Sequence, residues 1–238
     1  MISENINYAA DGRSFAGRLF HDENRSGVRP GVLVCHEGAG PSEHIWEQSQ
    51  LLAELGYVAY APDLFGETFT SREAGVAVIT GLVADPQRLR ARTCAALDVL
   101  RNHPHVDASR TAAIGYCFGG LAVLELARGG SDVACVASFH GSLASTAPAQ
   151  PGQIGSQILV CIGASDPFIG SEQRSAFELE MTRAGADWQI ITYSDAQHGF
   201  TNRHLDPAKH PGSAYHARTA QRSWRAMLDM FEEAFGAA

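Results

Sequence analysis

Apolar residues in this chain fall into two alternating patterns, short continuous runs and stretches spaced three or four apart. The continuous runs "GVLVCHE", "YVAYAPDLFG", "RTAAIGYC", "VACVASFHG", "QILVCIGASD" and "WQIITYSD" read as strands buried on both faces of a parallel sheet. Between them, "HIWEQSQLLAELG", residues 86 to 102, "LAVLELARGG", residues 171 to 184 and residues 213 to 235 carry helical spacing, several closing on glycine. The connection after "PDLFG" reads as short. Ahead of all these, "INYAA" and "SFAGRLF" flank Asp11 and Gly12, a turn signal that predicts a hairpin.

Strands alternating with helices predict an α/β fold, a mostly parallel twisted sheet with helices on both faces and an N-terminal β-hairpin, in one domain over residues 1–238. Ligands of such sheets bind at the carboxyl ends of the strands. Glu37, Cys117, Asp166 and His198 each follow an apolar strand run, so four distant segments converge on one sheet edge.

Composition narrows the partners. The net charge is −8, with 17 arginines and one lysine, Lys209, and no basic run tracks a phosphate backbone; nucleic acid is not expected. No apolar run reaches membrane-spanning length, and the start lacks a signal-peptide pattern, so the expectation is a cytoplasmic protein with no membrane partner. The cysteines at 35, 94, 117, 135 and 161 contain no C-x-x-C pair and read as reduced thiols. His204, His210 and His216 recur every six residues, which fits no ligand pattern, and neither metal nor cofactor is expected.

Cys117 alone among the cysteines is enclosed by glycines, in "GYCFGG". A strand, then Gly-x-nucleophile-x-Gly, then a helix is the arrangement of a sharp turn that exposes a nucleophile at its tip. Gly115 and Gly119 hold the required offsets, and the helix that follows favours thiolate and oxyanion alike. Phe118 N–H is the first expected oxyanion donor and Gly38 N–H, in "HEGAG", the second. His198 is the candidate base, with Asp166 orienting it. Each has a plainer use: Asp166 as a turn residue before Pro167, His198 as a loop residue, Cys117 as a packed thiol. Trp46, Phe65, Phe118, Phe139, His140 and Phe200 flank the strand ends as pocket walls or core. The order nucleophile, acid, histidine is that of α/β-hydrolases.

Together "GYCFGG", "HEGAG", "APDLFG", "GASDPF" and "AQHGFTNR", in this order over nearly the whole chain, resemble the dienelactone hydrolase family of α/β-hydrolases. The resemblance implies a cysteine nucleophile at Cys117, with Asp166 and His198 completing the triad. It implies that Glu37 takes the thiol proton once substrate displaces it from an arginine. It also implies arginines that hold a substrate carboxylate, matched by Arg203 and, more loosely, Arg72. The expected substrate is a small ester or lactone, activated because a thiolate is a good leaving group and the intermediate otherwise reverts. Alternatives are a peptidase or amidase on this fold, or a non-catalytic binding protein, as a monomer or small homo-oligomer.

Overall fold

The computed structural model describes residues 1–236. Its strands are β1 (Ile2–Ala10), β2 (Arg13–His21), β3 (Arg29–Cys35), β4 (Val58–Pro62), β5 (Val106–Tyr116), β6 (Cys135–Phe139), β7 (Gln157–Gly163) and β8 (Trp188–Tyr193). They form an eight-stranded sheet in the order β1-β2-β4-β3-β5-β6-β7-β8. β1 and β2 pair antiparallel through a two-residue turn in which Asp11 (φ 43°) and Gly12 (φ 76°) are both left-handed, as the DG signal predicts. β2 meets β4 antiparallel, and the six strands from β4 to β8 run parallel.

Among the described residues six helices cover the sheet: α1 (Glu43–Leu55), α2 (Arg72–Ala84), α3 (Pro86–Arg101), α4 (Phe118–Arg128), α5 (Ser171–Ala184) and α6 (Ala217–Phe235). Ile45 and Leu52 of α1 and Met227 and Phe231 of α6 pack on one face. Leu89 and Leu97 of α3, Leu124 of α4 and Phe177 of α5 pack on the other. A parallel sheet needs both coverings because each of its faces is apolar. Among the described residues no helix is long and apolar enough to cross a membrane.

α2 is a correction to the short connection expected after "PDLFG". Val76 (53% exposed) and Val83 (40% exposed) put apolar residues on its outer face, and Gly75 and Gly81 interrupt it, so no single apolar stripe marks the helix. Its start was written in the sequence nonetheless: the Ser71 side chain accepts from Ala74 N–H at 3.2 Å, an N-cap.

Candidate active site

Cys117 is the N-cap of α4, directly after β5, with φ 53° and ψ −111°. A non-glycine residue in that region is strained and persists only where its surroundings hold it. Here Cys117 N–H donates to Phe139 O at 3.0 Å, and the flanking glycines leave the backbones no room for a side chain. A Cβ on Gly115 would strike the Gly119 carbonyl, and one on Gly119 would strike the carbonyl of Cys35 at the end of β3. On Gly120 it would stand 2.6 Å from Ser138 Oγ. Gly119→Ala is therefore expected to cost at least about 3 kcal/mol, because main chain rather than a flexible side chain has to yield. Chemical denaturation checks this; a midpoint unchanged from wild type contradicts it.

Phe118 is the first residue of α4, so its N–H has no partner within the helix. Gly38 lies on the loop after β3, in a turn closed by Gly40 N–H to Glu37 O at 3.1 Å. Buried His36 ties that loop down: Nε2 accepts from Leu64 N–H at 2.9 Å, so Nδ1 carries the proton and donates to Glu37 O at 2.7 Å.

His198 Nδ1 and Asp166 Oδ2 are 2.9 Å apart, and Asp166 Oδ1 accepts from Phe168 N–H, also at 2.9 Å. With both carboxylate oxygens engaged and its side chain wholly buried, Asp166 has one orientation to offer. The other ring nitrogen of His198 is left for the thiol. Burial alone lowers the His198 pKa, but the hydrogen bond to Asp166, followed by the hydrogen bond to and charge of Cys117, outweighs it and lifts the imidazole from 6.5 to about 10. Because the folded value is the higher one, this pairing stabilises the fold fully below about 6.5 and ceases to do so as pH rises through about 10. His140 packs edge-on against His198 at 5.0 Å, donor or acceptor to Thr201 Oγ1 at 2.8 Å. Burial first, and the charge of His198 next, hold His140 well below its ordinary range, so it stays neutral beside the imidazolium.

Glu37 has partners the sequence did not announce. Asn202 Nδ2 donates to its carboxylate at 3.0 and 3.3 Å, and His44 Nδ1 of α1 lies 3.4 Å from Oε1. His44 is 1% exposed, and neither ring nitrogen makes a hydrogen bond. Among the described residues no arginine pairs with Glu37. Arg203, expected near a substrate carboxylate, is exposed and paired with Glu47 on α1. It lines a groove of about 630 Å³ between α1 and α6, floored by Tyr116 and Phe139, whose lining does not include the triad. Arg72 sits exposed at the start of α2. Trp46 packs on the core under Arg18, and Phe139 and Phe200 are core residues, while Phe168, 58% exposed, stands 5.1 Å edge-on to His198 as an open wall. Among the described residues no cluster of three or more His, Cys, Asp or Glu side chains is arranged to hold a metal ion.

Comparison with known proteins agrees with this fold. A solved structure of a dienelactone hydrolase-like promiscuous phosphotriesterase from metagenomic libraries superposes with a TM-score of 0.91 at 37% identity, covering 98% of both chains. A presumptive carboxymethylenebutenolidase of Escherichia coli (strain K12) is 31% identical over 220 residues, 87% of this chain and 78% of that protein. An uncharacterized protein of Caenorhabditis elegans is 34% identical over 151 residues, 62% of this chain and 95% of that one. The family model matching residues 15–235 is that of the dienelactone hydrolases, and the chain belongs to the dienelactone hydrolase family.

Proposed function

We propose that the protein is a carboxylic ester hydrolase that cleaves activated esters or lactones through a Cys117 acyl-enzyme. The observation that carries this reading is the buried Asp166–His198 pair, its imidazole held protonated at neutral pH, facing a cysteine in a strained turn at a helix N-terminus.

The Cys117 thiolate attacks the substrate carbonyl, and the oxyanion falls to the N–H groups of Phe118 and Gly38. His198 gives its proton to the departing alkoxide or enolate, leaving a thioester on Cys117. Acylation removes the thiolate charge that helped hold the imidazole protonated, so the His198 pKa falls and the ring becomes a base. It then takes a proton from water, which attacks the thioester, releases the carboxylic acid and restores the thiolate. Asp166 keeps Nδ1 protonated throughout. A thiolate leaves more readily than an amide nitrogen, so the cycle runs forward on enol, aryl and thioesters and stalls on peptide bonds.

Selective alkylation tests the activated thiol. Burial pushes Cys35 up, and Cys135 and Cys161 up to about 12, so these are inert at neutral pH. Iodoacetamide at pH 7 is expected to modify Cys117 stoichiometrically ahead of the rest, mapped by peptide mass spectrometry. Modification spread over other cysteines with Cys117 spared contradicts the reading.

A further inference from the structure

The charge around Cys117 says which activated esters this site accepts. Two carboxyl side chains lie by the site, Asp166 bonded to His198 and Glu37 on the loop after β3. Asp166 is wholly buried behind His198. Glu37 is 12% exposed, and its polar partners are the Asn202 amide and the His44 ring. An amide brings dipoles to a carboxylate and leaves its charge in place; a guanidinium would neutralise it. The two arginines expected to hold a substrate carboxylate are turned elsewhere, Arg203 to Glu47 and Arg72 to solvent.

The walls point the same way. Phe168 stands open beside His198, and Ile79 of α2 reaches to 3.1 Å from where a Cβ on Gly38 would be. An anionic substrate would thus meet apolar side chains, a Glu37 with no arginine beside it and a chain of net charge −8.

We infer that the site is specific for uncharged activated esters, with Asn202 and His44 acting as positioning residues that hold the Glu37 carboxyl in place where no arginine pairs with it. This deepens the ester hydrolase reading and rests on it. No arginine has to be displaced from Glu37 when substrate enters, so the site has no built-in requirement for a substrate carboxylate. His44 is the second support: with both ring nitrogens unbonded, a small rotation lets Nδ1–H donate to Glu37 Oε1. Its ring is steadied edge-on against Tyr116 at 4.8 Å.

The test uses two esters with one leaving group, 4-nitrophenyl propionate and mono-4-nitrophenyl succinate, the second carrying a free carboxylate on its acyl chain. At low ionic strength kcat/KM is expected to favour the propionate by about tenfold or more, and added salt narrows the gap. Asn202→Arg is expected to raise the succinate-to-propionate ratio, with circular dichroism confirming the fold. His44→Phe is expected to lower kcat with little change in KM, and His44→Gln, which restores a neutral donor, to recover it. Wild-type preference for the succinate overturns the inference, as does a ratio unmoved by Asn202→Arg in a folded protein; an unchanged kcat in His44→Phe removes His44 from the arrangement. If neither ester acylates Cys117, the ester hydrolase reading itself fails. If both do and the succinate is preferred, only the charge specificity fails.

Discussion

Cys117→Ala is expected to lower kcat/KM on an activated ester by about 10⁴-fold or more, since it removes the atom on which the covalent intermediate forms. The fold should survive it. Alanine keeps the Cβ, so the φ of 53° costs the new residue no more than the old, and the hydrogen bond from residue 117 N–H to Phe139 O is main chain. The oxyanion donors and the Asp166–His198 pair remain, so a small residual rate over water is expected. Steady-state kinetics beside a thermal melt separate the two effects. Near-wild-type turnover with an unchanged melt would mean that some other group is the nucleophile.

Asp166→Asn should cost nearly as much, about 10²–10⁴ in kcat, while changing only one atom and one charge. Oδ1 of residue 166 accepts from Phe168 N–H and Oδ2 faces His198 Nδ1. An asparagine has one acceptor oxygen, and Phe168 N–H claims it. The amide NH₂ then faces Nδ1, which can meet a donor only as the unprotonated nitrogen. The ring proton moves to the nitrogen beside Cys117, where a base is needed. The largest influence raising the His198 pKa, its bond to Asp166, is lost as well, so the imidazolium is no longer held toward pH 10. A kcat within threefold of wild type, measured by pre-steady-state and steady-state assays, would sink this assignment of roles.

The pieces of the fold legible in the sequence were those with a single dominant period. The apolar runs of β3 to β7 admit no amphipathic reading, and Asp11-Gly12 supports only a tight turn. α2 was missed because valines lie on its solvent side, where periodicity gives no stripe to follow. Within the site, Cys117, Asp166 and His198 were legible as candidates because each closely follows the end of an apolar strand, β5, β7 and β8 in turn. Asn202 and His44 were not, since their role depends on two loops and α1 meeting around Glu37, a contact spanning 165 residues in the case of Asn202. Arg203 beside Asn202 was the more conspicuous residue for binding an anion, yet the turn through Gly199 and Asn202 sends its side chain outward to α1. An adjacent position in a tight turn faces a different way, and sequence spacing alone does not distinguish the two.

The most direct measurement is intact-protein mass spectrometry after rapid mixing with 4-nitrophenyl propionate and acid quench, followed by peptide mapping. Nucleophilic catalysis predicts a transient single propionyl adduct on Cys117, formed with a stoichiometric burst of nitrophenolate and absent in Cys117→Ala. Turnover without any adduct, or an adduct on another residue that persists in Cys117→Ala, would contradict it.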